Sequence, residues 1–313
     1  GNTPDESYLN AQSVIRIAER EKVDSLHPGI GFLSESPDFA ALCRRHGINF
    51  IGPSEQSMEW IGNKSNATNT AREHGVPVVP GSQGILTDAD HAAEMAENIG
   101  FPLVIKAVHG GGGKGIKVVH DPAAFRESFH QIAAEAKSAF GSSDVYLEKF
   151  VQSMRHVEVQ ILRDSHGNVK VLGLRDCSVQ RNNQKIVEES ASTMLPDNLR
   201  QAVFEHAAAI ADAVDYLGAG TVEFIFDLDA QAVYFMEMNT RLQVEHPVTE
   251  LITATDIVPE QFRIAAGESI QGLDINEQGH AIELRINAER GELDTDGNFL
   301  LLPDPGRITA FDF

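Results

Sequence analysis

The chain has 313 residues and a mass of 34.1 kDa, enough for about two domains with a sizeable buried core. Its 46 acidic against 25 basic side chains give a net charge of −21, which argues against a broad nucleic-acid or anionic-membrane surface but permits a local phosphate pocket. Two cysteines without Cys-x-x-Cys or Cys/His spacing, Cys43 and Cys177, argue against a disulfide framework or zinc site and point to a reducing, cytoplasmic setting.

Along the chain, apolar residues recur at helical spacing over Leu9–Glu21 and Asp38–Arg45. A short strand is predicted over Asn49–Ile51, and a further helix over Ala67–His74. The stretch Val78–Gly84 is flanked by Gly and Pro and reads as a linker. Beyond it, a helix over Ala89–Ile99, strands over Leu103–Val108 and Ile116–His120, a helix over Ala123–Phe140 and a strand over Val145–Phe150 form one inserted, movable unit. From His156 onward the pattern alternates with period two, broken by a turn at Asp164–Asn168. Helices return over Leu199–Tyr216 and Ile257–Ala266. The first half thus alternates helix and strand, and the second is richer in antiparallel sheet. The fold class is α/β (α+β). No apolar run approaches the ~18 residues of a membrane span, and the first residues lack the regions of a signal peptide. The start in a helix and the strand-like end at Ile308–Phe313 read as cuts from a longer polypeptide.

Several groups carry chemistry. His109–Gly115 holds five glycines between two strands, so its backbone N–H groups are open to wrap a phosphate. It lacks P-loop spacing, and a strand rather than a helix follows. Lys106 sits in the apolar strand entering that loop, where a lysine either faces solvent or meets a buried anion.

The segments 220–227 and 232–239 read as a hairpin turning about Ala230, which sets Glu223 opposite Glu237. Facing carboxylates repel, so the pair needs a cation or solvent. Asn239, on the same face, adds a third oxygen for Mg²⁺. The alternation continues through Arg241, Gln243 and Glu245. As an extended row it would offer a guanidinium for an oxyanion and a carboxylate base beside it. In Arg175–Lys185, Gln180 and Lys185 could face an anion or a ribose, although alone the segment reads as a polar surface loop. Together these parts describe a Mg-nucleotide site suited to phosphoryl transfer.

At these residues the sequence resembles the ATP-grasp biotin carboxylase family, the ATP-using component of acetyl-CoA, propionyl-CoA and pyruvate carboxylases. The resemblance runs over nearly the whole chain. It is carried by His27–Glu35, Ile61–Lys64, Gly110–Gly115, Glu148-Lys149, Arg155–Gln160, Arg175–Arg181, Gly218–Glu223, Met236–Glu250 and Glu283–Glu289. Carbamoyl phosphate synthetase and D-alanine ligases share the lid and the metal acids but lack the Arg-Leu-Gln-Val-Glu-His run.

The resemblance implies an ATP-grasp core over 62–78 and 151–313, running into a truncated C-terminal domain. It implies a remnant Rossmann-like domain over 1–61 and a glycine-rich lid over 79–150. The implied reaction uses MgATP to activate bicarbonate as carboxyphosphate, and the CO₂ released is captured by N1 of biotin on a carrier domain. By resemblance, Lys64, Lys106, Gly111, Gly112, Gly113, Glu148, Lys149, Phe150, Val151, His156, Gln180 and Asn183 contact the nucleotide. Glu223, Glu237 and Asn239 hold Mg²⁺ or Mn²⁺. Lys185, Arg241, Gln243, Val244 and Glu245 hold bicarbonate, with Glu245 as base, and Arg285 stabilises the biotin enolate. Taken alone, Arg285 reads as a strand arginine on a solvated face. Implied partners are a biotin carboxyl carrier domain and a carboxyltransferase, with a homodimer in the full-length form and no nucleic acid or membrane.

Three departures stand out. Asn183 occupies the position of a family histidine, Arg290-Gly291 replaces Asp-Pro, and Pro259 replaces a lysine. No Met-Lys-Met biotin-attachment motif is present. Two other readings remain open at this point: a different ATP-grasp ligase joining a carboxylate to an amine, and a nucleotide-binding module without turnover.

Overall fold

The computed structural model describes residues 2–82, 84–108, 115–182, 184–190, 195–293, 299–307 and 309. The glycine positions Gly111, Gly112 and Gly113, the departure Asn183 and nearly all of the strand expected over Ile308–Phe313 lie outside the described residues.

The chain opens with α1 (Ala11–Glu21), β1 (Ser25–Leu26), α2 (Pro37–Arg45) and β2 (Asn49–Phe50). Asn10 accepts the Ser13 N–H and Ser36 that of Phe39, so both helices start at a side-chain cap. β1 and β2 pair in parallel, and Ile15, Phe39, Leu42, Cys43 and Ile48 close a small core around them. Then come α3 (Glu55–Gly62) and α4 (Lys64–Glu73), capped by Ser54 and Asn63. The eight-residue α3 is absent from the sequence prediction, because two turns give too little periodicity to stand out.

The next unit holds α5 (Ala89–Ile99), β3 (Leu103–Ala107), β4 (Ile116–Val119), α6 (Phe125–Phe140) and β5 (Val145–Lys149). Its three strands form one antiparallel sheet in the order β4-β3-β5. The two helices cover one face, Ala92, Ala96, Phe125, Phe129 and Ile132 packing on Ile105 of β3, in a core separate from the rest of the chain.

The remainder builds β6 (Met154–Arg163), β7 (Val169–Arg181), β8 (Gln184–Ser190), α7 (Asp197–Ala213), β9 (Gly218–Asp227), β10 (Ala232–Asn239), α8 (His246–Thr253), α9 (Ile257–Ala265) and β11 (Ile282–Leu284). A hairpin of β12 (Glu289–Leu293) and β13 (Phe299–Pro303) follows. One six-stranded antiparallel sheet runs β10-β9-β6-β7-β8-β11. The alternation in β6 explains its two faces. Val157, Val159 and Ile161 pack with Val203, Ala207 and Ile210 of α7, while Glu158 and Gln160 point to the opposite face. Each of the fully buried Val and Ile side chains among them contributes roughly 1.5–3 kcal/mol. The face with Glu158 is the one that carries the site.

Three expectations need correction. First, the row from Glu237 to Glu245 is not one strand: β10 ends at Asn239 and α8 begins at His246. The Thr240 N–H is taken by Glu35 Oε1 at 3.2 Å instead of a neighbouring strand, and Pro247 opens the helix. Leu242, Gln243 and Glu245 are all buried, and Val244 is 38% exposed. Second, the Arg175–Lys185 segment is not a surface loop but the end of β7 and the start of β8, with Arg175 wholly buried. Third, the hairpin does turn between β9 and β10, but near the turn Ala232 pairs with Asp227, one position off the predicted register. An irregularity between Phe235 and Glu237 absorbs one residue and restores the pair Glu237–Glu223.

Candidate active site

A cavity of about 520 Å³ opens between the β3–β4–β5 unit and the large sheet. Its walls carry Lys64, Lys106, Tyr146, Glu148, Phe235 and Glu237. Lys64 is the first residue of α4 and is exposed into the opening. Lys106 and Glu148, diagonal neighbours on β3 and β5, form an ion pair within the wall. Burial, and then the Glu148 charge, push the Tyr146 phenol well above its ordinary range. Val151 is buried at the end of this unit, Phe150 is half-buried against the His120 ring, and Lys149 is exposed.

Beside the cavity, the strand registers align a transverse row: Glu237 on β10, Glu223 on β9, Glu158 on β6 and Arg175 on β7. Directly paired residues share a face, so three carboxylates stand side by side. Lys185, projecting from β8, closes over them. Its Nζ donates to Glu158 Oε2 at 2.5 Å, Glu245 Oε1 at 2.7 Å and Glu223 Oε1 at 3.0 Å. Burial alone would lower the Lys185 pKa, but Glu158, Glu223 and Glu245 outweigh it and hold the ammonium charged.

Arg175 closes the far end of the row. Its Nε donates to Glu158 Oε1 at 2.6 Å, and its Nη atoms reach Gln160, Thr221, Thr249 and Gln243. Gln243 passes this on, donating to Glu223 Oε1 at 3.0 Å. His156 Nε2 lies 2.8 Å from Glu223 Oε2, and Gln180 Nε2 lies 2.9 Å from His156 Nδ1. Burial works against the charged imidazole, yet the Glu223 carboxylate prevails and raises the His156 pKa. Glu223, despite its burial, is held well below the usual carboxylate range by His156 and Lys185. Cys177, buried beside Glu158 and Glu245, has its thiol pushed up by burial and then by Glu158, so it stays protonated.

Glu237 differs from its neighbours. It makes no ion pair or hydrogen bond among the described residues, and burial together with Glu223 raises its pKa. Asn239 donates to Glu223 Oε1 at 2.7 Å from the next position on that face. Two carboxylates and an amide, one acid without an ion-pair partner among the described residues, make a hard-oxygen donor set that fits Mg²⁺ or Mn²⁺.

The sequence-predicted residues Lys185, Glu223, Asn239, Gln243, Glu245, His156 and Gln180 therefore meet in one network. Arg285 joins it through Glu245 Oε2 at 2.9 Å, so it is not the solvated strand arginine its local sequence suggests. Arg241 stands at the rim, its Nε 3.1 Å from Glu35 Oε2. Sequence reasoning missed Glu158 and Glu35 and left the buried Arg175 in a loop. The available signal for Glu158 was its charge within Val157-Glu158-Val159.

Comparison with known proteins accords with this geometry. Two family models match: "Carbamoyl-phosphate synthase L chain, ATP binding domain" over residues 63–273, and "Biotin carboxylase, N-terminal domain" over residues 1–58. Biotin carboxylase 2 of Populus trichocarpa, a chloroplastic protein, is 48% identical over 99% of the chain, which spans 58% of that protein. A biotin carboxylase–β,γ-ATP complex from Campylobacter jejuni superposes with a TM-score of 0.85 at 43% identity, covering 97% of this chain and 67% of that one. The biotin carboxylase domain of Hydrogenobacter thermophilus 2-oxoglutarate carboxylase, in complex with MgADP, ADP and bicarbonate, gives a TM-score of 0.81 at 42% identity, covering 94% of this chain and 68% of that one.

The fold is thus an ATP-grasp nucleotide-binding fold. The chain belongs to the biotin carboxylase family.

Proposed function

We propose that the chain performs ATP-dependent carboxylation of carrier-bound biotin, with bicarbonate as the carbon source. The observation that carries this reading is the Lys185 network: an ammonium bridging Glu158, Glu223 and Glu245 beside a cavity of about 520 Å³ whose rim acid, Glu237, has no ion-pair partner among the described residues. The relatives' bound nucleotide and bicarbonate support it.

In this reading the nucleotide lies between the sheets, its phosphates met by Lys64 and Lys106. The unit over 79–150 acts as the lid, 1–61 as the N-terminal domain, and 62–78 with 151–313 as the core. Val151, Gln180 and His156 border the nucleotide together with Glu148, Lys149 and Phe150. Glu223, Glu237 and Asn239 hold Mg²⁺ or Mn²⁺, which neutralises phosphate charge as the γ-phosphoryl group transfers.

Arg241 and Lys185 hold bicarbonate, with Gln243 and the Val244 backbone at its edge. Glu245 takes the bicarbonate proton, and the freed oxygen bonds to the γ-phosphorus while the bond to ADP breaks. Carboxyphosphate then splits into CO₂ and phosphate beside biotin; the phosphate takes the N1 proton, and N1 forms the new bond to the CO₂ carbon. Arg285 offsets the negative charge that the ureido oxygen gains as N1 loses its proton. The carrier domain and carboxyltransferase are supplied elsewhere, the full-length protein forms a homodimer, and the setting is cytoplasmic.

The test is phosphate release from MgATP with and without bicarbonate and free biotin. Release that depends on bicarbonate and rises with biotin supports the proposal. ATP binding without release, in the chain and in a form extended to the relatives' length, would sink it. Release that requires an added amine would favour a different ligase.

A further inference from the structure

Glu188 sits on β8, three residues beyond Lys185, and is fully buried. One of its oxygens, Oε1, accepts both Nε of Arg285 at 2.6 Å and Nη2 at 2.5 Å. The other, Oε2, has no hydrogen-bond partner among the described residues. A buried carboxylate with an orphaned oxygen carries a desolvation penalty, so it is a poor choice for packing alone.

The geometry gives it a task. Arg285 follows the edge strand β11, and its backbone N–H donates to Ile186 O at 2.9 Å. The flanking Leu284 and Ile286 are 62% and 65% exposed, whereas Arg285 between them is half-buried. An arginine at such an edge has several rotatable bonds and a large rotamer entropy to lose. Gripping Nε and Nη2 through one oxygen fixes the plane of the guanidinium. Nη1 is left without a partner among the described residues and is available to donate.

Arg285 Nη2 is also shared with Glu245 Oε2 at 2.9 Å, and the other Glu245 oxygen accepts from Lys185. The two carboxylates on Arg285 are not equivalent. Glu188 is set in the middle of a sheet strand, whereas Glu245 precedes the first turn of α8 at the site's edge.

We propose that Glu188 is the positioning residue of Arg285: it stays on the guanidinium through the reaction, so that an incoming ureido oxygen displaces Glu245 and not Glu188. This assignment rests on the function proposed above and adds a residue to it.

The experiment compares Glu188→Gln, which keeps shape and removes charge, with Glu283→Gln, its cross-strand neighbour on β11 that does not bond Arg285. Phosphate release is titrated with free biotin at saturating MgATP and bicarbonate. Glu188→Gln should raise KM for biotin by about tenfold or more while KM for ATP moves by less than about twofold, and Glu283→Gln should do neither. An unchanged biotin KM in Glu188→Gln, or an equal rise in Glu283→Gln, overturns the assignment.

A second readout is independent of turnover. The Arg285 Nε–H resonance, identified by its loss in Arg285→Lys, should be exchange-protected in the unaltered chain and lose that protection in Glu188→Gln. Persistence of the protected signal overturns the anchor even if no turnover is found. Absence of turnover with loss of the signal overturns the function proposed above and leaves the Glu188–Arg285 anchor standing.

Discussion

Glu237 and Asp164 are two acids in opposite situations. Glu237 has no ion-pair partner among the described residues, and desolvation and the Glu223 charge raise its carboxyl pKa. Glu237→Gln should therefore leave the unfolding midpoint unchanged or higher while lowering Mg-dependent ATP turnover by about 100-fold or more. Turnover within about threefold of the unaltered chain would remove Glu237 from the metal set. Asp164 is saturated: its carboxylate accepts the N–H groups of His166, Asn168 and Ile270 and the Asn168 amide. Burial opposes its charge, but these bonds prevail and hold the pKa at about 2. Because the folded value lies below the unfolded one, the stabilisation is full above about pH 4 and is lost as pH falls through about 2; it amounts to about 2 kcal/mol. Asp164→Asn should accordingly cost about 2 kcal/mol in urea unfolding at pH 7 and close to nothing at pH 2. An equal penalty at both pH values would mean that shape, not charge, is at work. Glu237 was legible from a hairpin drawn on the sequence alone. Glu158 was not, because its place in the acid row depends on pairing with Glu223, 65 positions away.

At the scale of elements, capped helices were the most legible features. The cap residues Asn10, Ser36 and Asp88 precede α1, α2 and α5, whose periodicity is long enough to read. The short helices α3 and α8 were hidden for lack of periods, and α8 also because the alternation of Glu237–Glu245 imitates a strand. The hairpin shows how a local rule can reach the right pair for an incomplete reason: symmetry about Ala230 gives Glu223–Glu237, but the chain arrives there only after a one-residue irregularity past Phe235. A second element-level feature is testable. Gly81 bridges Glu148 on β5, and a Cβ built there would lie 2.4 Å from the Leu147 carbonyl oxygen. Backbone cannot yield as a side-chain tip can. Gly81→Ala should cost about 1–3 kcal/mol in chemical unfolding and, by moving the strand that carries Glu148, weaken nucleotide binding in a calorimetric titration. Full stability with full affinity would show that β5 tolerates the shift.

At the scale of the molecule, the cavity has walls from two separately packed units, one built on β3–β4–β5 and one on the large sheet. A ligand that binds only the folded form stabilises it by mass action. MgATP at about 100 times its Kd should add about 2.7 kcal/mol to the unfolding free energy. The gain should vanish in Lys106→Met, as read by thermal unfolding with and without nucleotide. An equal gain in that variant would place the nucleotide elsewhere. The acidic balance, −21, makes such local lysines more consequential, since an ATP polyanion approaches against the overall field. The first segment of the chain reaches into the same site, for Glu35 takes both the Thr240 N–H and the Arg241 guanidinium. About 200 residues separate these partners along the polypeptide. At ribosomal speeds of about 5–20 residues per second, Glu35 emerges some 10–40 s before the arginine it will hold. The N-terminal segment must therefore wait, folded or shielded, with an unmatched carboxylate, and the oxyanion corner cannot assemble until Arg241 has been made.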